Sequence, residues 1–472
     1  AKPGRAIRLR LGRGYPALEM SSIEKPIDLT RAARILALRI RQAASGWRGG
    51  LLRCEVEIDR LDALEWLSAQ RGDTKVYWRD RNGDFETAGI GIADAAVSAP
   101  PEKFAGIADS IERKLLLHTG GCRYYGGCRF DGLMPPDRLW SSFPNAWFVL
   151  PQVELVRRGD RAFLSCNLNP AGENAVVQLT DRLRGVREAV PEVPHAYRVL
   201  RHDRLPDAGE WSRMLKRTLD RIADGEMDKV VLANRITLEL DRKADAWSLL
   251  RCLRSSGNGN YLFGFQPSPE AAFIGASPER LFRRAGREIE TEAIAGTRRR
   301  GATTEEDGEL AEDLLGSDKD RREQEMVTAF IRESLASLAA SLDSDRLPSV
   351  LKLSQLQHLY TPVFGKLKEG VSDSSLLNAL HPTPAVGGYP RMAALDVIRS
   401  LKSFDRGWYA GPVGWIGADA CEFAVGIRSM LVRGNSLVLV AGAGIVDGSA
   451  PEEEWLEIEQ KLKATLNAVL PS

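Results

Sequence analysis

The chain has 472 residues, with 65 basic and 64 acidic side chains and a formal net charge of +1. That balance excludes nucleic acid or an anionic membrane as the partner the whole surface serves, so a charged ligand must be met by local groups. No apolar run approaches the roughly 18 residues of a membrane span, and six cysteines without CxxC or zinc-ligand spacing read as reduced thiols of a cytoplasmic protein.

In chain order, the Arg-rich start AKPGRAIRLRLGRG lacks the apolar core of a secretory signal. Residues 102–118 have helical period, and the glycine-rich HTGGCRYYGGCRFDG then breaks the chain. WFVLPQVELVRRGDRAFLSCN reads as a hairpin, its turn suggested by Arg157-Arg158-Gly159-Asp160. Residues 181–205 are rich in proline and charge and read as a loop. They divide an N-terminal α/β portion, 1–200, from a second portion, 201–472, the two being expected to form one continuous structural unit.

The second portion is more regular. A helix over 209–224 leads into the strand KVVLANRITLEL, and GNYLFGFQPS with AAFIGASPERLFRR reads as a strand pair. EIETEAIAGTRRRG follows, and then a long helix from about Ser317 to Leu342, with Ser317 and Asp320 at capping-box spacing. Residues 408–446 alternate strands with short turns, as in one antiparallel meander, and a last helix begins near Pro451. The glycines of LVLVAGAGIVDGS suggest a dinucleotide-binding loop. Such a site needs a parallel βαβ unit and an acidic residue after its second strand, and no second strand follows Gly448. An anion-binding glycine turn is the better expectation.

On the last helix, Trp455, Ile458, Leu462, Leu466 and Val469 form the apolar stripe, while Glu454, Glu457 and Lys461 share an adjacent face. A solvated charged face is the simpler reading, but this face begins just past the glycines. Glu323 shares a side of its helix with Lys319. Carboxylates from two helices would suit Mg²⁺, which bridges one or two carboxylates to an anionic substrate while keeping waters. Lys229 opens its strand on the face of Val231 and Ala233; it either reaches solvent or projects into a site, where burial would make it usable as a base. Glu279 follows a proline at a strand end, where desolvation would keep its proton for use as an acid.

These segments together resemble the chorismate-utilising enzymes, and among them the isochorismate synthases. KVVLANR, GASPERLF, TEAIAGTRRRG, SDKDRREQEMV, QHLYTP, HPTPAVGGYPR, RGWYAGPVGW, EFAVGIRSM, AGAGIVDGS and PEEEWLEIEQKL occur in the family's order across 209–468, with a weaker match at WSSFPNAWFVLPQVEL. The resemblance implies an α+β fold: two packed antiparallel β-sheets with helices on the outside, the sandwich of anthranilate synthase component I, with 201–472 as the catalytic portion. It implies that Lys229 activates water for attack at C2 of chorismate and that Glu279 protonates the departing C4 hydroxyl. Glu323 and Glu457 are implied as Mg²⁺ ligands, with Glu454 reaching the ion through water. Arg428 and Tyr409 would hold the enolpyruvyl carboxylate, a task that favours a guanidinium fork. Gly296, Thr297, His358, Ala385, Gly442, Gly444 and Lys461 match the remaining substrate-pocket positions. Many relatives carry Glu-His where this chain has Glu323-Gln324. His381 reads as structural or as supporting the pocket from outside.

The resemblance also discriminates within the family. Ammonia-using members usually lack a lysine at the Lys229 position, and some carry lysine where Ala295 stands. Salicylate synthases keep the lysine but tend to place threonine at Ala385. Water is therefore the expected nucleophile and isochorismate the product, for menaquinone or for siderophore or salicylate synthesis, the long N-terminal half favouring the menaquinone type. No glutaminase subunit is expected, and the chain would be a monomer or weak dimer. A salicylate synthase and a non-catalytic chorismate-binding protein are the alternatives.

Overall fold

The computed structural model describes residues 26–47, 49–98, 104–116, 121–133, 136–172, 174–189, 196–353 and 356–470. The Arg-rich start lies outside these. Two antiparallel sheets, of 12 and 10 strands, carry the fold. Aromatic side chains from both, including Trp78, Tyr261 and Phe265 of one and Tyr125, Trp147 and Trp415 of the other, are buried together. Eleven helices among the described residues pack around them, and none is long and apolar enough to cross a membrane.

Strands from the two portions of the sequence interleave. In the larger sheet Lys75–Arg79 pairs with Tyr261–Ser268, which continues through Ala271–Ser277, Ser429–Arg433 and Ser436–Val446 to Lys229–Leu240. In the smaller, Arg123–Cys128 pairs with Pro412–Gly417, which leads through Ala420–Val425 and Arg280–Ala285 to Glu288–Arg299 and Leu356–Leu367.

Local signals set most boundaries. The Ala208–Ala223 helix starts at a reciprocal capping box between Asp207 and Glu210. Ser317 Oγ accepts the Asp320 amide at 3.2 Å and starts the helix Asp318–Ala336. That helix ends before the expected Leu342, because Ala339–Ser344 pairs as an edge strand with Leu356–Leu367. The 181–205 passage is also less irregular than its composition suggests. It holds the end of the helix Ala175–Arg184 and the exposed strand Val199–Leu205, which borrows its ladder from Lys229–Leu240.

Two segments that look continuous in sequence change sheets. AAFIGASPERLFRR splits into Ala271–Ser277 in the larger sheet and Arg280–Ala285 in the smaller. The expected meander over 408–446 is likewise two hairpins, Pro412–Val425 in the smaller sheet and Ser429–Val446 in the larger. Glu279 and Arg428 stand at these two crossovers.

Candidate active site

A cavity of about 420 Å³ opens beside the crossovers, walled by strands of both sheets, the helix Asp318–Ala336 and the last helix, Pro451–Val469. That is room for one small metabolite. The fourteen candidate residues named from the sequence all line it.

The floor is the strand pair Lys229–Leu240 and Ser436–Val446, in which Val231 opposes Gly444 and Ala233 opposes Gly442. Alternation puts Lys229, Val231 and Ala233 on one face. Lys229 therefore points inward, almost wholly buried, and pairs with Glu323 of the helix above. Gly442 and Gly444 lie within a strand rather than at a turn, which corrects the reading of LVLVAGAGIVDGS; the turn comes later, at Asp447-Gly448. Lacking side chains, they clear the floor. A Cβ on Gly444 would sit 2.8 Å from Lys229 Cε and 3.1 Å from Glu323 Oε1, and one on Gly442 2.8 Å from Val231 Cγ1. Their backbone groups still serve the cavity. The Leu240 amide donates to Asn435, so the alternating ladder pairs odd residues of the glycine strand with Lys229–Leu240 and turns Gly442 and Gly444 the other way. There Lys461 Nζ donates to the Gly442 carbonyl at 2.8 Å, and the Gly442 amide meets the Tyr409 hydroxyl.

The three candidate metal carboxylates come from two helices, and each meets a lysine side chain. Lys229 pairs with Glu323, Lys461 with Glu457 at 2.5 Å and Lys319 with Glu454 at 3.5 Å. Burial pushes the Glu457 carboxyl up, but Lys461, with Lys319 and Lys229, more than offsets this and holds it below the usual range. Burial raises Glu454, against a hydrogen bond from Ser449 Oγ at 2.8 Å. Among the described residues no three His, Cys, Asp or Glu side chains converge as a closed metal site. The donors fit an oxygen-seeking divalent ion held by one or two carboxylates, with water and substrate completing its shell.

Glu279 is buried, and burial together with the nearby Glu292 carboxylate pushes its carboxyl up to about 8, against Lys229, Arg81 and Lys461. It is a proton donor at neutral pH. Its backbone is held on several sides: Ser277 Oγ accepts its amide at 3.3 Å, and the Val425 amide donates to its carbonyl at 3.1 Å.

On the opposite wall the ladder between Glu288–Arg299 and Leu356–Leu367 shifts register between Ala295 and Arg298. This bulge turns Gly296, at φ +65°, and Thr297 into the cavity. His358 faces the bulge, with Nδ1 2.9 Å from the Gly296 carbonyl and 3.1 Å from Thr297 Oγ1. The carbonyl fixes the proton on Nδ1 and leaves Nε2 as a buried acceptor. Burial lowers the ring to about 4, so it is neutral. Tyr409, raised by burial to about 12, remains a phenol beside the Arg428 guanidinium. Ala385 completes this side.

Two residues act from outside. His381 Nε2 is 3.0 Å from the Phe130 carbonyl and its ring packs edge-on against Phe130, a structural role away from the cavity. Gln324 is buried and donates to the Ala293 carbonyl at 3.0 Å and Thr361 Oγ1 at 2.9 Å, tethering the Glu323 helix to the smaller sheet. Sequence reasoning missed Asp320, Arg298 and Gln460 on the cavity wall, and the Arg81–Glu292 ion pair behind Glu279. Arg81 sits in DRNGD, which reads as an ordinary surface turn.

Residues 39–470 match the family described as "Chorismate binding enzyme". The chain belongs to this family. It is 33% identical over 477 residues to isochorismate synthase 2, chloroplastic, of Arabidopsis thaliana, covering 94% of this chain and 85% of that one. It is 34% identical to the salicylate biosynthesis isochorismate synthase of Pseudomonas aeruginosa, covering 91% and 92%. The solved structure of MenF, the menaquinone-specific isochorismate synthase from Escherichia coli, superposes with a TM-score of 0.83 at 30% identity, covering 93% of this chain and all of that one. The expected sandwich of two antiparallel sheets is therefore the family's own fold.

Proposed function

We propose that the protein is an isochorismate synthase, converting chorismate to isochorismate by adding water at C2 with loss of the C4 hydroxyl. The observation that carries this is a buried lysine and a buried, proton-bearing glutamate in one cavity, Lys229 and Glu279. Lys229 takes the proton of the water attacking C2. The ring double bonds shift, and Glu279 gives its proton to the C4 oxygen, which leaves as water. One water enters and one departs, so the reaction is an isomerisation, and proton exchange resets both groups.

Arg428 and Tyr409 bind the enolpyruvyl carboxylate, while Thr297, His358 and the strand edge at Gly442 and Gly444 position the ring and its remaining polar groups. Glu323 and Glu457 would hold Mg²⁺, with Glu454 assisting through water. When bound, such an ion would supply positive charge and Lewis-acid polarisation to the anionic substrate. No ammonia-supplying subunit is needed, because water is the nucleophile. The likeness to a menaquinone-specific enzyme supports the menaquinone branch as the destination of the product, and the similar likeness to a salicylate-biosynthesis enzyme supports the salicylate branch beside it.

Incubation of the protein with chorismate and Mg²⁺, with and without chelator, followed by separation of products, tests the reading. Isochorismate formed only with the ion is the expected result. Stoichiometric salicylate and pyruvate would overturn it in favour of a salicylate synthase, and absence of conversion in favour of a chorismate-binding protein.

A further inference from the structure

Arg81 lies on the turn between the strands Lys75–Arg79 and Phe85–Ile90, far in sequence from the cavity. Its guanidinium forks onto the buried Glu292 carboxylate, Nη1 at 3.0 Å from Oε2 and Nη2 on Oε1. Nη2 also donates to the Pro278 carbonyl at 2.5 Å. The same Glu292 Oε1 accepts the Arg280 amide at 2.8 Å. One ion pair thus grips the residue before Glu279 and the residue after it. The guanidinium lies over the Tyr261 ring, 5.2 Å from its centroid, which fixes the side chain from its other side.

A buried ion pair is weak evidence for stability, because desolvating two charges offsets most of their attraction. Here the pair holds both flanks of an acidic side chain and sets a charge beside it. We propose that Arg81 and Glu292 are positioning residues for Glu279, fixing the direction of its carboxyl and the pH at which it loses its proton. The inference rests on the reading of Glu279 as the acid. Other groups face Glu279 as well: Lys229 from the floor, Lys461 from the last helix and the Tyr409 phenol. Glu292 is the carboxylate among these neighbours, and it favours the protonated acid, while Arg81 opposes it.

The test is the pH profile of kcat for Glu292→Gln, Arg81→Gln, Arg81→Lys and Glu279→Gln, with KM and thermal melting measured in parallel. Glu292→Gln removes a negative neighbour without changing shape, and the alkaline limb of kcat should move down by about one pH unit. Arg81→Gln should move the limb upward and lower kcat by about tenfold to a hundredfold, with KM little changed, the cost of a misdirected acid. Arg81→Lys keeps the charge but not the fork, so the limb should return toward wild type while kcat recovers only in part. Wild-type limbs in Glu292→Gln and Arg81→Gln, with changes confined to melting, would reduce the pair to a structural one and overturn the proposal. Full turnover by Glu279→Gln would instead remove the acid assignment beneath it. Glu292→Gln is isosteric, so it decides the matter even where an Arg81 variant fails to fold.

Discussion

The Val425 amide donates to the Glu279 carbonyl at 3.1 Å, and the Ala276 amide donates to the Arg428 carbonyl at 3.0 Å. Each crossover between the sheets is therefore bonded to residues bordering the other. The candidate acid and the candidate carboxylate anchor share one backbone frame, and a shift in either crossover is felt at both.

Lys229→Ala should lower kcat by about 10²-fold or more, the usual scale for a positioned base, with KM for chorismate little changed. Single-turnover product formation measures it directly. Near-wild-type turnover would end the role assigned to Lys229.

Glu279 keeps its proton to about pH 8 in the folded protein, against an ordinary value near 4.5. Activity that needs the protonated acid should fall as pH rises through about 8. Folding takes up a proton between those two values, so this group's contribution to stability is full below the lower value and is lost as pH rises toward the upper one. Glu279→Gln should melt close to wild type at pH 4.5 and gain on it progressively to pH 8, by on the order of 1 kcal/mol per pH unit. Parallel pH–melting curves for the two proteins check the sign.

Gly444→Ala places a methyl group against Lys229 Cε and Glu323 Oε1. The backbone there is ordinary strand, so the fold should persist while the Lys229–Glu323 pair is pushed apart. A loss of kcat and weaker Mg²⁺ activation, with little change in melting, is the expected pattern. Unchanged kinetics would show that the floor tolerates a side chain.

Gln324→Leu leaves the Ala293 carbonyl and the Thr361 hydroxyl without a buried donor. It should cost about 1–3 kcal/mol, read by chemical denaturation. Gln324→His can present a ring N–H to the same carbonyl and should cost less. Equal losses in the two variants would mean that packing, not the tether, sets the position of the helix.

Much of this arrangement was legible because short-range chemistry fixed it. Ser317 and Asp320 stand at capping-box spacing before the helix Asp318–Ala336, and Pro451 marks the start of the last helix. Period two put Lys229 on the face of Val231 and Ala233, and the burial of that face chose the site over solvent. The sheet changes were not legible, because Pro278-Glu279 and Gly426–Arg428 carry no signal separating a crossover from a turn; long-range pairing decides which sheet receives each strand. The glycines of Ser436–Val446 misled for a related reason. Glycine suits a turn or a crowded floor equally well, and the neighbours that choose between them, Lys229 and Glu323, lie far away in sequence. Arg81 was invisible because its partners, Pro278 and Glu292, come about two hundred residues later.

The last helix supplies Glu454, Glu457 and Lys461 to a cavity whose floor begins at Lys229. A ribosome must pass Lys461 before the two ends of the candidate site can meet. Until then the strand Ser436–Val446 lacks its covering helix, and the central strands already made wait for late partners. Such distant pairing makes folding slow and exposes unpaired edges on nascent chains. A cell making this protein meets that hazard while the strands Lys229–Leu240 and Ser436–Val446 wait for the helix Pro451–Val469.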